Sequence, residues 1–343
     1  MRDITICFIF ICVLIIGNSC SDIRKIPSDV VISGTIKNNK NPFPCFWDNK
    51  KRFDFQVNSK DQSFLRGLLI KGNDIYTCGS FEDGQSFKAF YSKNNEIIIL
   101  NDSSSFSAEC NAFIMHNDSI ITVGSFEQKG SNSPRACYWI NKKRYTLCDK
   151  KSFATDICIL EDSIYILGHI VEDKHNYLCY WTNGKTKYIS DSLTCFDASH
   201  SSSIAIFENK VVIVSRIEID FVDRAFIWQN DSLKYLENPY GIYSNPTSIK
   251  IIDGKIFITG FISGNKPEEP CYWIDGKLFL LDSPYSFAMA KSILKKDDDI
   301  IVVGEYREKA LSIPFPCFWV NNVFYSLKSS DLVYGTCDEI TEK

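Results

Sequence analysis

Residues 270–281, PCYWIDGKLFLL, have the pattern of a β-hairpin. A short strand ends at Tyr272-Trp273, the pair Asp275-Gly276 follows, and alternating apolar residues come next. An Asp-Gly pair between alternating hydrophobic residues is a strong local hairpin signal, because both residues accept the left-handed backbone of a two-residue turn. The sequence therefore predicts two antiparallel strands here.

The same phrase occurs seven times along the chain of 343 residues. The copies are PCFWDNKKRFDF from Pro44, AFYSKNNEIIIL from Ala89, ACYWINKKRYTL from Ala136, LCYWTNGKTKYI from Leu178, AFIWQNDSLKYL from Ala225, PCYWIDGKLFLL from Pro270 and PCFWVNNVFYSL from Pro316. A second marker, a β-rich run ending in Gly, precedes each copy, with Ser215 replacing the Gly in the fifth. Both markers recur about every 45 residues, a period typical of propeller blades. The sequence predicts an all-β, seven-bladed β-propeller with four-stranded antiparallel blades.

The first and last copies of the repeat are incomplete in complementary ways. We name the four strands of each copy A to D in chain order. The first copy begins at strand B, at Val30, and has no strand A before it. The last copy completes strand D near Leu327, yet the chain continues to Lys343. We therefore expect residues 337–342 to supply strand A to the first blade, which closes the ring over residues 30–343.

The N-terminal segment has the features of an export signal. Residues 4–16 are almost wholly apolar and follow Arg2, which matches the length of a signal-peptide apolar region and is short for a membrane span. The sequence Gly-Asn-Ser-Cys that ends at Cys20 resembles the cleavage box of bacterial lipoproteins. We expect residues 1–19 to be a signal peptide of the lipoprotein type, Cys20 to be lipidated, and residues 20–29 to form a short tether. An ordinary secretory signal and an uncleaved anchor are the alternatives.

Composition excludes several classes of function. The net charge of -4 gives no basis for nucleic-acid binding, which requires a basic face. No C-x-x-C motif supports a zinc or thioredoxin-like site, and we expect no cofactor. One column of cysteines directly precedes the aromatic pair, and we expect it to be buried core, because equivalent positions of neighbouring repeats lie too far apart for a disulfide. That column contains Cys45, Cys137, Cys179, Cys271 and Cys317, whereas Cys110, Cys148, Cys158, Cys195 and Cys337 are irregular and one pair among them could bond.

Candidate ligand residues are expected on one face of the propeller. The A–B and C–D turns share one face, and the B–C and D–A loops, which we expect to be long and variable, share the other. The candidate ligand-face residues are His169, Asp173, His175, Arg216, Asp220, Asp223, Glu268, Glu269, Glu305 and Arg307. Glycan cleavage requires two carboxylates at a fixed separation, but acids mixed with bases on loops are typical of solvated surface. Two histidines six residues apart, without repeat support, are more typical of surface than of a metal site, so we expect no metal and no catalytic set.

The repeat resembles the HAF-type extracellular repeats of secreted bacterial proteins, whose phrase is roughly Ala-Phe-x-Trp-x-x-Gly followed by Leu. The best match is RAFIW, from Arg224 to Trp228, with Leu236. Copies such as CYWTNGK, from Cys179, also resemble the propeller lipoproteins of Bacteroidetes. This resemblance implies an exported propeller without defined chemistry, so no catalytic residue is carried over from it.

Three functional hypotheses remain from the sequence. The first is a monomeric, non-catalytic binding module, lipid-anchored in the cell envelope at the outer membrane or cell surface, or else secreted. Its partner would be a protein or a glycan held on the B–C and D–A loop face. The second is a hydrolase or lyase acting on extracellular polysaccharide through loop carboxylates. The third is a scaffold for envelope assembly, which would expose an apolar patch.

Overall fold

A computed structural model describes residues 27, 29–37, 42–48, 51–55, 57, 62–131, 133–173, 175–189, 202–310 and 312–343. These residues form seven four-stranded antiparallel sheets, and the predicted seven-bladed β-propeller is confirmed. Within these ranges no helix is long and apolar enough to cross a membrane. The predicted signal peptide, Cys20 and most of the predicted tether lie outside the described residues.

Strands A to D of each blade run in order across the sheet. Blade 1 contains β28 (Tyr334–Glu342), β1 (Val30–Lys37), β2 (Phe43–Asp48) and β3 (Lys51–Asp54). Blade 2 contains β4 (Ser63–Lys71), β5 (Asp74–Asp83), β6 (Ser86–Lys93) and β7 (Glu96–Ile99), and blade 3 contains β8 (Ser105–His116), β9 (Ser119–Gln128), β10 (Arg135–Ile140) and β11 (Lys143–Thr146). Blade 4 contains β12 (Ser152–Leu160), β13 (Ser163–Glu172), β14 (His175–Thr182) and β15 (Lys185–Tyr188), and blade 5 contains β16 (Ser203–Phe207), β17 (Lys210–Ile219), β18 (Val222–Gln229) and β19 (Ser232–Tyr235). Blade 6 contains β20 (Ser244–Ile252), β21 (Lys255–Ile262), β22 (Glu269–Ile274) and β23 (Lys277–Leu280), and blade 7 contains β24 (Phe287–Lys296), β25 (Asp299–Arg307), β26 (Phe315–Val320) and β27 (Val323–Ser326).

The predicted ring closure is confirmed. Strand β28 pairs antiparallel with β1, from the partners Val30 and Glu342 to the partners Lys37 and Tyr334. The closing strand begins at Tyr334, earlier than the predicted residue 337. The A strands of successive blades contact one another all the way round, β28 with β4 included, so these strands surround the central channel.

The hydrophobic core lies mainly between blades, as the repeat predicts. All six Trp are buried, and the five cysteines of the repeat column are fully buried beside them. Trp273 and Trp319 donate their indole N–H to the carbonyl oxygens of Glu237 at 2.8 Å and Asp282 at 2.7 Å, in the connections from the preceding blades. The described cysteines are all free thiols, while Cys195 lies outside the described residues. The cysteine column is therefore core, as expected.

In the six repeats that carry the glycine, it is explained by a β-bulge in the neighbouring strand A. In blade 7 the pairing of β24 with β25 shifts between Ala290 and Ser292, opposite Gly304. A Cβ on Gly304 would lie 2.0 Å from the carbonyl oxygen of Met289, so no side chain fits there. The extra residue of strand A, here Lys291, occupies what we call the bulge position. The other bulge residues that the pairing defines are Arg66, Asn111, Thr155, Thr247 and Asp338.

The connections on the two faces of the propeller differ less in length than the sequence suggests. On the turn face, which carries the A–B and C–D turns, tight two-residue turns are confirmed, for example at Asp253-Gly254 with φ of 50° and 66°. On the loop face, which carries the B–C and D–A connections, the expected long loops are wrong for blades 4 and 5. There the B and C strands continue in register out to the pairs Glu172–His175 and Ile219–Val222. The residues assigned to these loops pair as strand, for example Ile170 with Tyr177 and Ile217 with Arg224.

Candidate functional site

The residues predicted for the ligand face do not converge on one site. His169, Arg216 and Glu305 occupy the same repeat position, directly after the glycine column, and lie in strands β13, β17 and β25 rather than in loops. His169 and Glu305 are buried, and Arg216 is partly buried. By contrast, Asp173 and Asp220 stand at exposed turn tips with left-handed φ values of 48° and 51°. Side chains at turn tips and side chains within a packed strand cannot share one pocket.

The largest polar cluster is a chain of five alternating charges at the junction of blades 6, 7 and 1, which we call the seam chain. Lys291 Nζ lies 2.7 Å from Glu305 Oε2 and 2.8 Å from Asp338 Oδ1. Arg307 Nη2 lies 3.8 Å from Glu305 Oε1, and Arg307 Nη1 lies 3.7 Å from Glu268 Oε1. Two bulge residues of adjacent blades, Lys291 and Asp338, thus meet where the chain closes the ring.

The electrostatics of the seam chain follow from burial and from the alternation of charge. Burial alone would lower the pKa of Lys291, but Asp338 and Glu305 outweigh it and hold that pKa above its usual range. Burial raises the pKa of Glu268, Glu305 adds to the rise, and Arg307 opposes it. Lys291 is therefore firmly cationic, whereas Glu268 at the end of the chain takes up a proton more readily than an ordinary glutamate.

A second cluster joins blades 5 and 6 on the same face. Arg216 Nη1 lies 3.1 Å from Asp223 Oδ2 across the β17–β18 hairpin and donates to the hydroxyl of Tyr243. Tyr243 stacks on Phe261 with ring centroids 5.5 Å apart. Burial raises the pKa of Tyr243, although Arg216 opposes the rise. Both charged side chains are about one-sixth exposed, so this pair is also largely internal.

The histidines are placed for packing rather than for metal binding. His169 stacks on Phe153 with centroids 4.9 Å apart, and the exposed His175 meets Tyr177 edge-on at 6.4 Å. In the described ranges, no three His, Cys, Asp or Glu side chains are close enough to hold a metal ion. The third histidine that the sequence suggested, His200, lies outside those ranges.

Glu269 is separated from the other acids. It is 9% exposed, and its Oε2 has no hydrogen-bond partner among the described residues. It lines a cavity of about 390 Å³ between blades 6 and 7, together with Lys266 and Phe324. Glu268 and Glu269 are neighbours in sequence, but alternation along the extended chain directs one to the seam chain and the other to this cavity.

The geometry pairs cations with acids in both clusters: Lys291 and Arg307 contact three acids in the seam chain, and Arg216 contacts Asp223 in the second cluster. The Glu305 carboxylate lies 2.7 Å from the Lys291 ammonium on one oxygen and 3.8 Å from Arg307 on the other, so both of its oxygens face cations of the scaffold. Sequence reasoning missed Lys291 and Asp338. The available signal for both was the bulge position, where the otherwise repetitive A strands carry unlike residues.

Comparison with known proteins supports the fold alone. No family model matches the sequence, and no curated protein matches it. The acylaminoacyl peptidase of Pyrococcus horikoshii superposes with a TM-score of 0.51 at 11% identity, over 87% of this chain and 51% of that one. A puromycin-hydrolyzing peptidase of Mycobacterium tuberculosis gives 0.50 at 9% identity, over 89% and 53%. TolB from Acinetobacter baumannii gives 0.45 at 10% identity, over 91% and 82%. The chain spans about half the length of the two peptidases.

Proposed function

We propose that this protein is a non-catalytic binding module that holds a protein or glycan partner on its loop face. The observation that carries this proposal is the pairing of the loop-face acids with internal cations. Glu305 is bound to Lys291, and Asp223 is bound to Arg216. Paired acids of this kind stabilise a scaffold, whereas a hydrolase needs one carboxylate free to ionise and a second poised to donate a proton.

The surface that we assign to partner contact is the B–C hairpin tip of blade 5. Phe221 is 96% exposed and adopts a left-handed φ of 64° at that tip. A bulky side chain in this backbone region is strained, and such strain is common at functional sites. Ile242, 51% exposed, belongs to the D–A connection that follows blade 5 on the same face. Exposed aromatic and aliphatic groups on a rigid hairpin suit a hot spot in an interface or a platform for a sugar ring.

We also propose that the module is exported and lipid-anchored through Cys20, and acts as a monomer in the cell envelope. The support is the apolar segment at residues 4–16 and the lipoprotein-like box that follows it. Metabolic labelling with an alkynyl fatty acid tests this point. Label on the wild type and none on Cys20→Ala is expected, and equal label on both would contradict the anchor.

The test of the binding function compares one substitution on each face. Phe221→Ser removes the exposed aromatic group on the loop face, and Val323→Ser removes a 53% exposed aliphatic group beside a C–D turn on the other. Each purified variant is used to capture partners from an envelope extract. We expect Phe221→Ser to lose the captured partner and Val323→Ser to retain it. Retention by Phe221→Ser with loss by Val323→Ser would place the interface on the turn face.

One observation favours polysaccharide cleavage as a second candidate. The raised pKa of Glu268 is the property of a general acid, and Glu268 lies at the open end of the seam chain with its side chain 22% exposed. Under this hypothesis, Glu268→Gln should abolish release of reducing ends from a panel of envelope polysaccharides. Absence of any release by the wild type would remove the hypothesis.

A further inference from the structure

The central channel contains a cavity of about 600 Å³, which we call the isoleucine well. Its wall is formed by the A strands of blades 3 to 7 and reaches Asp253 in the A–B turn of blade 6, so the well opens on the turn face. The isoleucines of the wall include Ile114, Ile159, Ile204, Ile206, Ile249 and Ile251. The volume lies within the range of roughly 300 to 1,000 Å³ that is typical of small-molecule sites.

The wall presents aliphatic surface that the fold leaves partly open. Ile114, Ile159, Ile206 and Ile251 are each only partly buried, although they lie at the centre of the ring. Apolar side chains around a concave space favour any aliphatic group that displaces water from it. Ala205, a small residue on the same wall, helps to keep the space open.

One cation lies in this aliphatic wall with a donor to spare. Lys250 Nζ donates to Glu339 Oε1 at 2.5 Å and to the carbonyl oxygen of Ile340 at 3.1 Å. A lysine ammonium carries three N–H donors, and two of them are used by acceptors in the described part of the chain, which leaves the third for a ligand. From the turn at Asp253, Lys250 lies three residues along the strand, which places it about 10 Å below the mouth.

The acids near Lys250 are occupied by internal donors. Glu339 Oε1 also accepts from the hydroxyl of Ser292 at 2.6 Å and from the backbone N–H of Ile340 at 3.1 Å. Asp156 accepts from the hydroxyl of Ser203 at 2.6 Å, and burial raises the pKa of Asp156. A ligand oxygen that enters the well therefore meets an unfilled donor of Lys250 and acids that are already satisfied.

We propose that the isoleucine well binds a free aliphatic carboxylic acid, with its chain against the isoleucines and its carboxylate on the third donor of Lys250. The site lies on the turn face, so it is independent of the partner surface proposed for the loop face. On the rim, Lys295 and Asp253 pair with each other, so the rim carries no net charge against the ligand.

Isothermal titration with decanoate below its micelle concentration tests this site, with decanol and methyl decanoate as matched probes. We expect decanoate to bind one to one and the two uncharged probes to bind at least about tenfold more weakly, because each lacks the charge-assisted hydrogen bond. Equal binding of decanol and decanoate, or no decanoate binding, would overturn the proposal.

Two substitutions place the ligand in the well. Ala205→Trp fills the cavity and should abolish decanoate binding, while Lys250→Met should weaken decanoate about tenfold and leave decanol unchanged. Lys250→Arg keeps the charge and should retain binding, which guards against a Lys250→Met variant that fails to fold. Wild-type affinity in Ala205→Trp would overturn the assignment. If a short peptide that ends in isoleucine bound more tightly than decanoate, the ligand would be a protein C-terminus and the proposal of an aliphatic acid would be overturned.

Discussion

Replacing Lys291 with methionine should destabilise the propeller by about 3 kcal/mol at neutral pH. The substitution keeps an unbranched side chain of similar length and removes the ammonium that Glu305 and Asp338 share at 2.7 and 2.8 Å. The Glu305 side chain is only 8% exposed, and that of Asp338 is 23% exposed. Two acids would then remain close together at the ring closure without their common cation.

The magnitude follows from what the variant retains. Breaking a buried ion pair by removing one partner costs about 3 to 5 kcal/mol. Asp338 keeps a hydrogen bond from the hydroxyl of Thr336 at 3.0 Å, and Glu305 keeps Arg307 at 3.8 Å. These contacts place the expected loss at the lower end of the range.

The assay is equilibrium unfolding in urea, followed by tryptophan fluorescence, since all six Trp lie between blades. Lys295→Met is the control, because Lys295 pairs with an Asp253 that is 65% exposed, and its loss should cost under about 1 kcal/mol. A Lys291→Met variant that loses no more than Lys295→Met at neutral pH would refute the reasoning.

Three further outcomes are expected. A variant that ends at Leu327 lacks β28 and should unfold at a lower urea midpoint than the full chain, and an unchanged midpoint would contradict ring closure by that strand. Gly304→Ala should lower stability by about 2 kcal/mol, because its Cβ would lie 2.0 Å from the Met289 carbonyl oxygen, and thermal unfolding would detect the change. Burial raises the folded-state pKa of Glu268, so the fold loses stability as the pH rises from the unfolded to the folded pKa. Glu268→Gln should therefore match the wild type near pH 4 and exceed its unfolding midpoint near pH 8, and the reverse order would contradict the burial argument.

The sequence was sufficient to predict the architecture, because the same pattern of strands and turns occurs in it seven times. The turn at Asp275-Gly276, the tryptophan column and the alignment of the tail with a missing strand A each specified a feature that the structure confirms. The lengths of the B–C loops in blades 4 and 5 were wrong, and the closing strand begins at Tyr334, earlier than predicted. In blades 4 and 5, polar residues such as Glu172 and Glu218 resemble loop but continue the strand pairing.

The site was less predictable because side-chain direction depends on the bulge. One extra residue in strand A turns the following side chains to the other side of the sheet, and the sequence marks it only by unlike residues at one position of otherwise repetitive strands. Lys291 therefore meets Asp338 of the next blade, a contact that the alternation of either strand alone does not indicate. The sequence did offer one comparison that would have helped. Aligning the residue directly after the glycine marker across the copies would have grouped His169, Arg216 and Glu305.

The pairing of β28 with β1 also determines how the propeller opens. Successive blades are linked by the chain, but within blade 1 strand A is joined to strand B only by hydrogen bonds and packing. Forming this pairing closes the largest loop in the molecule, so it carries the greatest loss of chain entropy and is favoured only once the other blades have ordered their ends. We therefore expect separation of β28 from β1 to be the first step of unfolding. A circular permutant that joins the present ends and opens the chain between two other blades would move this weak point elsewhere without changing the set of strands.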